Sequence, residues 1–243
     1  MNTTKIIKYK LTDKNGNTKN NTHWEVGTTH EATGDLSQGL CSDAYIHVYD
    51  DPLIAVIMNP RHAAFIEPIL WRCEVSGDSL VESLKSGYRV VTTIEIVELP
   101  VLSKKQLLAF TILCSLKAYK AKYYVKWAEN WLSGNDRSRR SAADAAANAT
   151  AAYAAAAYDA NAATAADANA ANAANAAANA ANAAANAAAN ATAAYATAAD
   201  AANAANAAAY AANAATAATA TAAANAAGIK IDFVALAKQA MAY

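Results

Sequence analysis

The sequence predicts an α+β protein, a small mixed α/β N-terminal domain followed by a long alanine-rich α-helix or packed helices. Three observations carry this. Residues 1–100 hold short β-branched runs separated by Asn, Gly, Asp and Pro, the pattern of strands and turns. Ser103 to Leu132 holds two apolar segments of helical length. Ser141 to Ala227 contains 58 Ala among 87 residues, with no Gly, Pro, Lys, Arg, Leu, Ile or Val. Alanine has the highest helix propensity because it loses no side-chain entropy, and disordered tails are rich in the residues this tract excludes. The division expected is a head at 1–134, an alanine-rich region at 135–228 and a short strand–helix segment at 229–243.

Lys5 to Leu11 reads as a first strand, with Ile7 and Tyr9 alternating against charged neighbours. Asp13-Lys14-Asn15-Gly16-Asn17 supplies turn chemistry. A short segment around Trp24 and Val26 follows, then a loop through Gly34 and Gly39. Ala44 to Tyr49 reads as a strand. Asp50 or Asp51 then caps a short buried helix, Leu53 to Met58, with Pro52 in its first turn and Asn59-Pro60 ending it. Ile69 to Val75 is a strand turned by Gly77, and Tyr88 to Leu99 is the longest β-branched run and a central strand. Ser103 and Gln106 form a capping box for a helix directing Leu107, Leu108, Phe110, Ile112, Leu113 and Leu116 to a core. A second helix spans Lys122 to Leu132, and Asn135 or Asp136 is the expected cap of the alanine helix.

Within the tract, Asn172, Asn175, Asn179, Asn182, Asn186 and Asn190 step by three or four residues. Such steps keep polar side chains on one stripe and leave methyl groups elsewhere. Only Asp144, Asp159, Asp167 and Asp200 are charged, so the methyl faces are expected to pack, coiled-coil fashion, on other helices. Tyr153, Tyr158, Tyr195 and Tyr210 are the tract's large residues and candidate anchors, and bends are expected near 153–161 and 192–200. Asp232 then caps a short helix with Phe233, Leu236, Ala237, Ala240 and Met241 on one side. That set is too small to fold alone and needs a surface to cover.

The charge is balanced at 20 basic and 20 acidic side chains, which does not call for a nucleic-acid partner. Arg137, Arg139 and Arg140 are the one tight basic cluster and read as a solvated first turn. Asn every third or fourth residue makes the tract a poor membrane span. No apolar run follows Met1, and three scattered Cys suit a reducing compartment. The expected location is a bacterial cytoplasm or a virion.

Chemistry is sparse in the sequence. Cys41, His47, His62 and Cys73 lack zinc-ligand spacing, and no glycine-rich phosphate loop is present. Asp50-Asp51 is explained by capping, and no cofactor is expected. Cys114 lies in an apolar face and reads as core. Cys41 with His47 is the one pair that could work as nucleophile and base.

At Leu40-Cys41, Ile46-His47, Tyr49, Pro52-Leu53 and Trp71 to Gly77, the chain resembles an uncharacterised domain family of phage and bacterial proteins. It departs from that family at Tyr45, where Gly is usual, and at Tyr49, in place of a Cys. The resemblance covers roughly residues 5–100, implies a phage or prophage context and brings no activity with it.

The leading expectation is therefore a non-enzymatic self-assembly or adaptor protein. Its alanine helices would associate with one another, and Cys41, His47, Tyr153, Tyr158, Tyr195, Tyr210, Phe233 and Leu236 are its candidate interaction residues. The host or phage partner is unspecified. The alternative is a phage-encoded module that binds a small molecule or protein of the host, which a pocket beside His47 would favour. Ice binding is disfavoured: of Thr164, Asn175, Asn186 and Thr197 at eleven-residue spacing, two are not Thr.

Overall fold

A computed structural model describes residues 5–82, 84–138, 140–149, 151, 179 and 230–243, the side chain of Arg61 excepted. The chain forms two compact units, Met1–Val101 and Leu102–Tyr243. The division falls before the two apolar helices rather than after them, at a boundary other than the 134/135 expected from sequence.

The first unit is a five-stranded antiparallel sheet with one helix. Strands β1 (Ile6–Thr12), β4 (Ile69–Val81) and β5 (Ser86–Val97) lie side by side. The short strands β2 (Thr29–Glu31) and β3 (Ile46–Val48) both pair with β5. Beyond β3, Tyr49 and Tyr9 exchange backbone hydrogen bonds of 2.9 and 2.7 Å. That bridge ties the end of β3 to β1, so the sheet rolls round onto itself.

Rolling gives β1 two covered faces. Its odd residues, including buried Leu11, lie on the side of helix α1 (Pro52–His62). Its even residues Lys8, Lys10 and Thr12 share the other side with Trp71 and Cys73 of β4, which belong to a core of Trp24, Val48, Val75, Tyr88 and Val91. The alternation expected for this strand holds, but its charged side is covered rather than solvated. Lys10 is buried, whereas Ile6 is 46% exposed.

Two further sequence expectations are corrected. Helix α1 runs through Pro60 to His62. A proline here forfeits one intrahelical bond, in the last turn, and the end is made by Asn59. Its carbonyl accepts from the Ala63 and Ala64 amides, and its side chain clasps the Phe65 backbone through bonds of 3.0 and 3.1 Å. Gly77 does not turn the chain, because β4 continues to Val81. At φ +78° it lies in a bulge, between the register shift's limits Ser76 and Ser79. A Cβ there would sit 2.8 Å from Arg89 Cβ.

In the second unit, α2 (Lys104–Ala118) carries the expected capping box, with Ser103 and Gln106 bonding each other's backbone amides. Its residues from Leu107 to Ser115 are buried all round. Helix α3 (Lys122–Ser133) ends at Gly134, φ +85°. It buries Tyr124, whose hydroxyl is 2.5 Å from Ser115 Oγ of α2. Arg137 is not a solvated side chain. Its guanidinium lies over the Trp131 ring and donates to the Trp131 and Leu132 carbonyls, satisfying acceptors left open at the helix end.

Residues 140–149 are helical. Their cap is Ser138 rather than Asn135 or Asp136: Ser138 Oγ accepts from the Ser141 amide, while Asp136 accepts from the Ser138 amide. Ala142, Ala145, Ala146 and Ala149 are buried, whereas Ala143, Asp144, Ala147 and Asn148 are exposed. Over these residues one methyl face is packed, and the opposite face, which carries Asp144 and Asn148, is wet. Asn179, on the polar stripe, is helical and exposed. Tyr153, Tyr158, Tyr195, Tyr210, the proposed bends and the eleven-residue row lie outside the described residues.

The C-terminal helix (Phe233–Ala240) is capped by Asp232, which accepts from the Ala235 amide. It buries Phe233, Leu236, Ala237 and Ala240. The surface it covers is α2 of the same chain, where Gln106 Nε2 donates to the Met241 carbonyl at 3.1 Å.

Candidate functional site

The rolled sheet leaves a cavity of about 520 Å³ in the first unit, bordered by β1, β2, β3 and the loops between them. Four residues set its character: Lys10, Trp24, His47 and Lys85. Strand β1 supplies Lys10, held inward by the alternation that aims Thr12 at Trp71 Nε1, 2.9 Å away. Lys10 Nζ donates to the His47 carbonyl at 3.2 Å and lies 4.7 Å from the Trp24 ring centroid. Burial pushes its ammonium down from the ordinary lysine value to about 8, slightly offset by the Cys73 thiol. That thiol is itself pushed up to about 12, chiefly by burial, with Lys10 opposing.

Trp24 is 2% exposed, and its indole Nε1 is buried with no hydrogen-bond partner. Its ring meets His30 edge-on at 4.5 Å. A buried donor left unpaired costs about 1–3 kcal/mol, and this one belongs to a residue that lines the cavity.

His47, singled out from sequence, lies on the cavity wall. Its Nε2 donates to the Leu40 carbonyl at 2.6 Å. Burial lowers its pKa, the Leu40 bond opposes this, and Lys85 and Lys10 add to it, so the ring is held neutral. Cys41 is exposed, and its sulfur accepts from Lys85 Nζ at 2.8 Å. The candidate pairing of Cys41 with His47 as nucleophile and base is therefore not formed: each group is bonded to a different neighbour. Cys114 is buried as expected, its thiol held well above its ordinary range by burial.

Phe233 and Leu236 belong to the second unit and pack against α2. Among the described residues no group of three or more His, Cys, Asp or Glu is placed to hold a metal ion. Among the same residues no helix is long and apolar enough to cross a membrane.

No family model, curated protein or solved structure matches the chain. The functional reading therefore rests on the cavity itself. Sequence reasoning found His47 but missed Lys10 and Trp24. The signal for Lys10 would have been a two-sided covering of β1, which depends on the Tyr9–Tyr49 bridge and leaves no mark in local periodicity.

Proposed function

We propose that this chain is a non-enzymatic binding protein whose first unit receives a small molecule and whose alanine-bearing unit serves as an assembly arm. The observation that carries the reading is the cavity beside His47 with the buried Lys10 amine on its wall. Its volume falls within the 300–1,000 Å³ usual for small-molecule sites. A buried ammonium with a single carbonyl acceptor is costly to keep without a role.

A second reading, a structural or adaptor protein that associates through its alanine helices, is supported by the tract's composition, 58 Ala among the 87 residues from Ser141 to Ala227 with polar residues at steps of three and four. The two are compatible, since they use different units. The phage or prophage context, with a cytoplasmic or virion setting and a host molecule as ligand, rests on the motif from Leu40 to Gly77 alone.

A melting screen of the full chain against a mixed library of small molecules tests the binding reading. A compound at 100 times its Kd stabilises by about 2.7 kcal/mol, enough to raise the melting temperature clearly. Thr22 lines the cavity, and Thr22→Trp is expected to diminish those shifts by narrowing it. Shifts that persist unchanged in Thr22→Trp would place binding elsewhere, and a library without one stabilising compound would count against the reading.

A further inference from the structure

We propose that the cavity takes a small organic anion, whose carboxylate or phosphate oxygens accept hydrogen bonds from Lys10 Nζ and Trp24 Nε1. The inference rests on the cavity being a binding site and adds its ligand class. Both groups are donors that the protein leaves incompletely used. An ammonium has three N–H bonds, and the hydrogen bond Lys10 makes is to the His47 carbonyl. The Trp24 indole N–H has no partner at all. The 4.7 Å separation of Lys10 Nζ from the Trp24 ring places the two residues at one part of the cavity. A neutral His47 leaves this part with Lys10 as its nearest buried charge, and charge-assisted hydrogen bonds to an oxyanion are about twice as strong as neutral ones.

The volume of about 520 Å³ exceeds the needs of an inorganic ion. Tyr45, Ile46 and Phe65 contribute apolar wall for a ligand body. Glu31 and Asp43 also border the cavity, but both residues are exposed, where water screens their charge. A cationic ligand would have to approach the buried Lys10 ammonium, with Lys85 also on the wall.

The test is a fluorine NMR titration of the full chain with four probes of similar body: 4-fluorobenzoate, 4-fluorophenyl phosphate, 4-fluorobenzyl alcohol and 4-fluorobenzylamine. At least one anion is expected to bind about tenfold or more tighter than the alcohol, and the stronger of the two identifies carboxylate or phosphate as the preferred group. Lys10→Met is expected to weaken that anion about 10- to 100-fold and Trp24→Phe about 3- to 10-fold, the usual ranges for losing a charged and a neutral hydrogen bond. In the unaltered protein, anion affinity is expected to fall between pH 7 and 9.5 as Lys10 discharges. The other ionisable groups in its surroundings are Cys73 on β4, His47 on β3, His30 and Glu31 on β2, and Lys85 in the β4–β5 turn. A pH dependence that survives in Lys10→Met belongs to them and contradicts the assignment. If Lys10→Met does not fold, the pH series and Trp24→Phe decide the matter.

Alcohol or amine binding as tight as the anions, and weakened by Thr22→Trp, would overturn the anion assignment while leaving the cavity as a binding site. Failure of all four probes to bind would overturn the anion assignment, while the library screen would still decide whether the cavity binds anything.

Discussion

Lys10→Met is expected to raise the stability of the ligand-free protein at pH 7, by about 1–2 kcal/mol. The direction follows from the lowered pKa. Lys10 falls from 10.5 to about 8 in the folded state, a difference of about 2.5 units and, at 1.36 kcal/mol per unit, on the order of 3 kcal/mol against the charged form. Methionine keeps the straight apolar stem and removes the buried charge. The lost bond to the His47 carbonyl and the lost contact with the Trp24 ring reduce the gain. Between pH 8 and 10.5 the unfolded chain binds more protons than the folded one, so the stability of the unaltered protein rises with pH in that window. The gap between the two proteins should therefore narrow from pH 7 to pH 10. Urea midpoints at several pH values check this. A variant clearly less stable than the unaltered protein at pH 7 would mean that Lys10 is a structural strut rather than a residue held for binding.

Phe233→Ala should have the largest destabilising effect, about 3–5 kcal/mol, the usual cost of emptying a buried aromatic site. Phe233 is 2% exposed and opens the C-terminal helix, with Leu236, Ala237 and Ala240 completing one buried face against α2. Eight residues cannot fold as an isolated helix, so loss of the anchor should release the segment and uncover α2. Gln239→Ala, on the exposed side of the same helix, should change stability by less than about 0.5 kcal/mol. Urea unfolding followed by helix circular dichroism separates the two. Equal, small effects would mean that the docked helix adds little to the second unit.

Local chemistry made much of this fold legible. The β-branched run before Pro100, the Asp51 cap with Pro52 after it and the Ser103–Gln106 box each carry their own physical signal. Strand β2 carries none. Thr29, His30 and Glu31 have no apolar alternation and become a strand by pairing with Val90 to Thr92 of β5. Gly77 reads equally as turn or bulge until its neighbours are known. Ser138 outcompeted Asp136 as a cap because the chain at Asp136 still belongs to the turn that closes α3, where the Asp136 amide reaches back to the Asn130 carbonyl.

The site was half legible for the same reason. His47 stands out by residue type, whereas Lys10 looks like any solvated strand lysine. Its burial is a consequence of the backbone bridge between Tyr9 and Tyr49, forty residues apart in the chain. Trp24 was visible as a residue, but its unpaired indole N–H is a property of the assembled cavity. Cys41 drew attention to His47 as its partner, and the turn between β4 and β5 brought Lys85 to the sulfur instead.

The most direct test of this account is the titration of Lys10 itself, followed through its side-chain carbon and nitrogen NMR shifts with Lys10→Met used for assignment. The expected midpoint is about 8 in the ligand-free protein, moving upward when the preferred fluorinated anion saturates the cavity, because a bound negative charge favours the ammonium. A midpoint at the ordinary lysine value near 10.5, unmoved by either anion, would contradict both the burial of Lys10 and its role in binding.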